Sequence, residues 1–410
     1  MRQGCERFGA DKGWRGGFVA QMHLGAPIFS QLLAPIHPQQ FARIAARFPL
    51  RRASRSLSAG EHFLAMAFAQ VTFRESLRDL VLCLDARPGL RPHLGFSQRV
   101  ARSTLADANE RRDWRVFAAL AESLMRQARR LYASEPSGLA DIESVYALDA
   151  SIIDLSFALC PWANWTGCDA AVKLHTLLDL RGHIPAFVRI TEAERYETAI
   201  FQELPLEAGS YYLMDRGYQD FATFYRMHRQ GAFFVTRAKC NVRFTVKQSR
   251  PVDKATGLRC DQSVLLANPA PRRLYPELLR RVRYFDREHG LSLVFWTNQF
   301  ELPALTIAEL YRQRWQVELF FKWIKYNLRL RCFLGLSFNA VRIQLWSAIC
   351  VYTLVAIAKK QWALPHSMHQ ILQVLSVAAF EQVPLADLFS QNTSDDTQSP
   401  SSNQLVFKDI

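Results

Sequence analysis

The sequence predicts an α/β protein: a mixed sheet with flanking helices, interrupted by a β-rich insertion, with one helical segment before it and another after it. Three observations carry this. Residues 144–236 alternate short β-rich runs with helical ones, in the order β-β-β-α-β-α-β. Residues 238–300 mix basic and β-branched residues with no helical period. Residues 28–131 and 307–389 carry apolar residues at helical spacing, with start signals in front of several runs.

The elements follow in order. Residues 1–24 show little patterning and read as a leader; Met22 is an alternative start. Residues 25–98 read as a helical N-terminal unit, in which Ser58 and Glu61 form an S-x-x-E capping box ahead of the apolar run 63–71. Residues 99–139 read as a helical connector. Thr104 and Asp107 give it a T-x-x-D start signal, and the turn-rich stretch 133–138 closes it. Residues 140–237 hold the first part of the sheet: strands at 144–150, 171–178, 184–190, 211–214 and 232–236, and helices at 196–204 and 219–230. Arg181-Gly182-His183 is a hairpin-type turn. Residues 238–303 form the insertion and 304–335 a strong helix centred on 307–328. Residues 336–390 are a helical C-terminal region, and the Ser-, Asp- and Thr-rich residues 391–410 a disordered tail.

Composition bounds the function. With 410 residues, 49% hydrophobic and 21% charged, the chain is neither disordered nor a single small core. Its eight cysteines contain no C-x-x-C pair, which argues against a zinc ribbon and fits a reducing cytosol. The first 20 residues are interrupted by charges and contain no apolar core of a secretory signal. The longest apolar run, 343–358, contains Gln344 and Ser347 and reads as a buried helix, not a membrane span. The net charge of +14 is unevenly spread: +10 over residues 1–140, −5 over 141–237, +7 over 238–300 and +2 over 301–410. Basic segments flank an acidic one. Basic surface attracts polyanions, and an acidic cluster attracts divalent metal.

The chemistry concentrates in three places. In the segment from Tyr311 to Lys325, a helix at ~100° per residue puts Tyr311, Arg314, Glu318, Lys322 and Lys325 on one narrow face. That stripe faces either solvent, laced by i,i+4 pairs, or a functional cleft. Asp149 ends the hydrophobic run V-Y-A-L-D, and Asp215 ends Y-L-M-D. Each is either a turn-capping aspartate or a carboxylate placed at a strand end to bind something. Three carboxylates from three separate elements match a pair of divalent cations acting on a phosphodiester, with no histidine base required.

These residues carry a resemblance. The sequence resembles bacterial insertion-sequence transposases of the DDE class, in the group marked by Y-(2)-R-(3)-E-(6)-K, here Tyr311, Arg314, Glu318 and Lys325. The acids sit in A-L-D-A-S around Asp149 and L-M-D-R-G-Y around Asp215. Lys173-Leu174-His175, Gly182-x-Ile184-Pro185 and Arg189-Ile190-Thr191 also resemble the family's sheet. The resemblance implies an RNase H-like core in which Asp149, Asp215 and Glu318 hold two Mg2+ ions, with Mn2+ as a substitute. The 103-residue gap from Asp215 to Glu318 fits an insertion between the last core strand and the glutamate helix. Tyr311, Arg314 and Lys325 would hold phosphates at the transposon end. A His-Asp pair is expected near Tyr196-Glu197, where this chain has Tyr-Glu.

The implied activity is cut-and-paste transposition. The enzyme binds terminal inverted repeats in double-stranded DNA, hydrolyses a phosphodiester, passes through a hairpin on the transposon end and joins the freed 3′-hydroxyl to target DNA. Synapsis implies at least a homodimer, in the bacterial cytosol with the nucleoid and with no membrane partner. A DNA-binding remnant without catalysis and a metal-dependent nuclease that only hydrolyses are the competing readings; the intact acids argue against the remnant. Further DNA contacts are expected from Lys322, Arg216, Lys239 and Arg243, the last two continuing with Lys247 and Arg250 as a basic track. Trp296 is a candidate for stacking on a flipped base, against a core role. The arginines at 43, 47, 51, 52 and 55 are candidates for reading the repeats. His175 reads as a core histidine, and Cys160 and Cys168, beside Trp162 and Trp165, as structural.

Overall fold

The computed structural model describes residues 25–49, 57–137, 142, 144–154, 171–193, 197–328, 332–335 and 337–390. The leader, the C-terminal tail, Arg51, Arg52, Arg55, Tyr196 and the loop with Cys160, Trp162, Trp165 and Cys168 lie outside them.

Six helices come first: α1 Ile28–Leu32, α2 Pro38–Ala46, α3 Ala59–Val71, α4 Leu77–Asp85, α5 Arg102–Arg111 and α6 Arg115–Leu131. The capping box at the start of α3 forms in full. The Glu61 N–H donates to Ser58 Oγ at 3.1 Å and the Ser58 N–H to Glu61 Oε2 at 2.9 Å. The T-x-x-D signal fails: α5 begins two residues before Thr104, and the helical run breaks at Arg112, whose backbone is extended. Asn339 fills that break from the far end of the chain, donating to the carbonyls of Asn109 and Arg112, each at 2.8 Å.

The sheet strands are β1 Val145–Asp154, β2 Ala171–Asp179, β3 Ile184–Glu192, β4 Tyr211–Met214, β5 Phe233–Arg237, β6 Phe244–Arg250, β7 Leu258–Leu266, β8 Leu279–Asp286 and β9 Leu291–Thr297. Helices α7 Glu197–Phe201 and α8 Phe221–Arg229 connect the core strands, and α9 Pro269–Leu274 lies within the insertion. All nine strands form one mixed sheet, in the order β3-β2-β1-β4-β5-β9-β8-β7-β6. The first five make the RNase H-like core: β1–β3 antiparallel, β4 and β5 parallel to β1. The insertion is not a separate body. Its last strand, β9, pairs antiparallel with β5 and continues the core sheet. The turn from β2 to β3 needs Gly182, whose φ is +68° and whose missing Cβ leaves room for the Tyr132 ring.

Five helices close the chain: α10 Ala304–Gln313, α11 Trp315–Asn327, α12 Phe338–Gln361, α13 Met368–Ala378 and α14 Leu385–Ser390. The sequence predicts one helix over 307–328, and the structure divides it at Arg314. There the Arg314 N–H reaches Tyr311 O and the Val317 N–H reaches Arg314 O, each at 3.1 Å, two tight i→i−3 bonds in place of the α-helical pattern. Helix α12 is long and apolar enough to cross a membrane, yet it is buried in the protein against α3, α5, α6, α11 and α13. One apolar core runs from α1 through the sheet to α14. The N- and C-terminal helical segments therefore share a core instead of standing apart. The Ile28 N–H donates to Glu381 O at 2.8 Å.

Candidate active site

Register brings the first two acids together. The parallel pairing of β1 with β4 ends at Leu148 opposite Met214, and the next residues are Asp149 and Asp215. Neighbouring strands lie about 4.8 Å apart, so the two aspartates emerge side by side. Asp215 follows the last residue of β4 as the sequence predicts. Asp149 does not end its strand: β1 continues to Asp154, paired only with β2. The carboxylate stands where β1 loses one neighbour, which opens the space above it.

Glu318 enters from α11, which packs on β1. Arg314, at the break between α10 and α11, ties the elements together. Its Nη1 donates to Asp149 Oδ2 at 2.9 Å and its Nη2 to Glu318 Oε1 at 2.5 Å. Tyr311, in the last turn of α10, donates its O–H to Asp215 Oδ1 at 3.2 Å. Two of the four signature residues, Tyr311 and Arg314, thus bond the two aspartates directly, and Glu318 joins them through Arg314.

The electrostatics follow from burial. Desolvation pushes the Asp149 carboxyl up to about 6; the Arg314 charge and the Ala150 N–H pull it down, and Glu318 and Asp215 push it up again. Burial also works against the Arg314 charge, but Tyr311, Asp149 and Glu318 outweigh it, and its pKa lies above the ordinary value. The oxygens of the three acids do not all fall within 4.8 Å of one another. Among the described residues that closeness is met by a turn group, the half-buried Asp286 with the exposed Glu288 and His289. In the triad a guanidinium stands between Asp149 and Glu318. The donor set still fits divalent ions: three carboxylates, all hard oxygen ligands, converge around a cation that already bridges two of them.

Other candidates fall elsewhere. Lys325 is half-buried; burial lowers its pKa, and the charge that opposes this is Asp154. Asp154 is the last residue of β1. Lys322, Arg216 and Arg243 are exposed and Lys239 is half-exposed, its N–H donating to Gln219 Oε1 at 3.1 Å. Arg250 leaves the proposed basic track by pairing with Asp261 at 3.2 Å, while Lys247 stays exposed. Trp296 is only 1% exposed, edge-on to Phe244, so it is a core residue with no face free for a base. His175 is buried, its Nε2 3.1 Å from Thr191 Oγ1.

Two residues near the acids enter the sequence reading only as motif positions, Tyr218 at the end of L-M-D-R-G-Y and Glu197 where the resemblance expects a His-Asp pair. Glu197 opens α7, and its Oε2 would stand 2.3 Å from a Cβ on residue 217. Tyr218 is buried beside it. The signal for both is the Gly217-Tyr218 pair straight after Asp215: a glycine where a neighbour comes close, then an aromatic turned inward.

Comparison with known proteins places most of the sheet and the two helices that carry the site within a known family. Residues 141–354 match the family model described as a transposase DDE domain, a span that contains Asp149, Asp215 and Glu318. Residues 24–97 match a domain of unknown function, DUF4372. A protein named as a transposase in Sinorhizobium fredii is 37% identical over 264 residues, covering 62% of this chain and 71% of the relative. Proteins named as insertion-sequence transposases are 28% identical in Geobacillus stearothermophilus (65% and 67% covered) and 23% identical in Synechocystis (62% and 70% covered). A solved structure of the piggyBac transposase synaptic complex with hairpin DNA aligns at TM-score 0.43 and 10% identity, covering 90% of this chain and 80% of that one. The chain belongs to the DDE transposase family of bacterial insertion sequences and is an enzyme that acts on DNA.

Proposed function

We propose that this transposase works by cut-and-paste: it binds the terminal inverted repeats of its element, hydrolyses a phosphodiester to free a 3′-hydroxyl, and joins that hydroxyl to target DNA. The observation that carries the reading is the convergence of Asp149, Asp215, Arg314 and Glu318 from two strands and a helix pair. Asp149, Asp215 and Glu318 would hold two divalent ions, Mg2+ or Mn2+. When bound, such ions activate the attacking oxygen and stabilise the leaving one.

The protein's own groups do the rest. Tyr311 fixes the Asp215 carboxylate through its hydroxyl. Arg314 balances Asp149 and Glu318 when no ions are bound. With ions held by the acids, that guanidinium would be free to fork onto a phosphate of the transposon end. Lys322 and Lys325 extend the same helix as point charges along the DNA backbone, and Arg216, exposed beside Asp215, meets the strand from the sheet side. Two such sites, one per protomer of a homodimer, would act on the two ends.

The test uses purified protein, Mg2+ and labelled DNA carrying the ends of its own element. Nicked, hairpin and strand-transfer products are expected, and Glu318→Gln should bind the DNA and form none of them. Hydrolysis without joining makes the protein a nuclease. Binding without cleavage by the wild type makes it a DNA-binding remnant.

A further inference from the structure

We propose that Tyr218 and Glu197 are positioning residues of the acid site: the Tyr218 hydroxyl orients Asp149 for ion binding, and Glu197 is a fourth carboxylate that strengthens the site's hold on cations. This rests on the two-ion reading above.

The Tyr218 hydroxyl is buried and meets no hydrogen-bond partner among the described residues. A stranded donor of this kind is unfavourable, and native interiors seldom keep one without cause. Its surroundings are acidic. The charged groups that act on it are Asp149, Glu197, Arg314 and Asp215. The backbone fixes it there: the Tyr218 N–H donates to Asp215 O at 3.1 Å, closing a single 3-10 turn over Arg216–Tyr218. The ring packs edge-on against Phe201 at the end of α7.

Glu197 belongs to the same corner. Its Oε2 occupies the space a side chain at position 217 would fill. Lys173, which pairs with Ile152 of β1, stands 3.9 Å from Glu197 Oε1.

A donor without an acceptor makes sense if the acceptor arrives in another state. In this structure Asp149 Oδ1 accepts the Ala150 N–H and Oδ2 accepts Arg314. If Arg314 turns to phosphate, Asp149 loses a donor, and the Tyr218 hydroxyl, unpartnered and three residues from Asp215, would be the one left to replace it. Groups behind the ligands of a metal site commonly change its affinity 10- to 100-fold.

The experiment measures Mn2+ affinity by electron paramagnetic resonance on the full-length protein, together with the melting temperature of the ion-free form. Tyr218→Phe removes only the hydroxyl. Its Mn2+ affinity is expected to fall at least ~10-fold, while the ion-free melting temperature stays level or rises because an unpaired donor is gone. Glu197→Gln is expected to weaken Mn2+ binding to a similar degree, and it decides the matter if Tyr218→Phe does not fold. A lower melting temperature with Mn2+ affinity within about twofold of wild type would overturn the proposal and leave both residues structural. If the wild type itself binds no Mn2+, the two-ion reading falls and this proposal falls with it.

Discussion

Arg314 Nη1 lies 2.9 Å from Asp149 Oδ2, though 165 residues separate them in sequence. The same guanidinium also reaches Glu318. Removing it leaves two part-buried carboxylates facing each other without a counter-charge. Arg314→Gln is expected to destabilise the ion-free protein by about 1–3 kcal/mol, an amount held down by the partial exposure of the pair. Mn2+ should then raise its melting temperature more than it raises that of the wild type, because no guanidinium competes for the acids. Thermal denaturation with and without Mn2+ checks this; equal shifts in the two proteins would count against the bridging role.

Tyr311 tests the other arm of the site. Tyr311→Phe keeps the ring packed on Phe295 and loses the hydroxyl that donates to Asp215 and accepts from Arg314. Loss of one hydrogen bond to a charged group is worth about 1.5–3 kcal/mol, so DNA cleavage should slow by roughly 10- to 150-fold, with near-normal stability. Single-turnover cleavage at saturating Mg2+ is the readout. An unchanged rate would mean that Asp215 needs no support from α10.

His62 gives a pH signature far from the acids. It is fully buried, its Nε2 2.8 Å from Asn109 Oδ1, and its pKa is pushed down to about 3 by desolvation and by Arg112. In the unfolded chain the same group titrates near 6.5. Between those values the unfolded state binds a proton that the folded state refuses, so stability falls as the pH drops from 6.5 towards 3. The slope from this group is at most about 1.4 kcal/mol per pH unit. Denaturant titrations from pH 7 to 4 should show it, and His62→Gln should flatten that limb.

Trp296 separates core from contact. Trp296→Ala empties a large buried volume and is expected to cost about 3–5 kcal/mol. The DNA affinity of the protein that remains folded should be unchanged. A loss of DNA affinity at full folding would return Trp296 to the DNA interface.

Local signals were legible in the sequence wherever chemistry and conformation act within a few residues. The Ser58–Glu61 box, the strand ending at Met214 and the turn at Gly182 form as read. The acids at 149 and 215 also come together as expected, because register between parallel strands is set by their apolar cores. What depended on distant partners was not legible. The helical pattern runs unbroken through Arg314, and its i,i+4 pair with Glu318 forms as the spacing allows, yet its other partner, Asp149, comes from β1, 165 residues away. For Trp296 the sequence leaves a stacking role and a core role open, at the end of an insertion. Only the pairing of β9 with β5 turns that strand into an interior one. Lys325 keeps the signature spacing, and seven residues of helix, about 10 Å, separate it from Glu318, with Asp154 the charge that acts on it.

The link between the two ends of the chain has a consequence for synthesis and for the fate of damaged gene copies. Gln31 donates to Val383 O across 352 residues, and α1 hangs its first amides on the carbonyls of Ala379 and Glu381. A ribosome adds roughly 5–20 residues per second, so the first helices wait on the order of 20–70 s for the segment that completes them. Copies cut short before α13 would lack that segment and leave the N-terminal core open. Such fragments should be cleared rather than persist as competitors for the element's ends, so a decaying copy falls silent instead of interfering with intact ones.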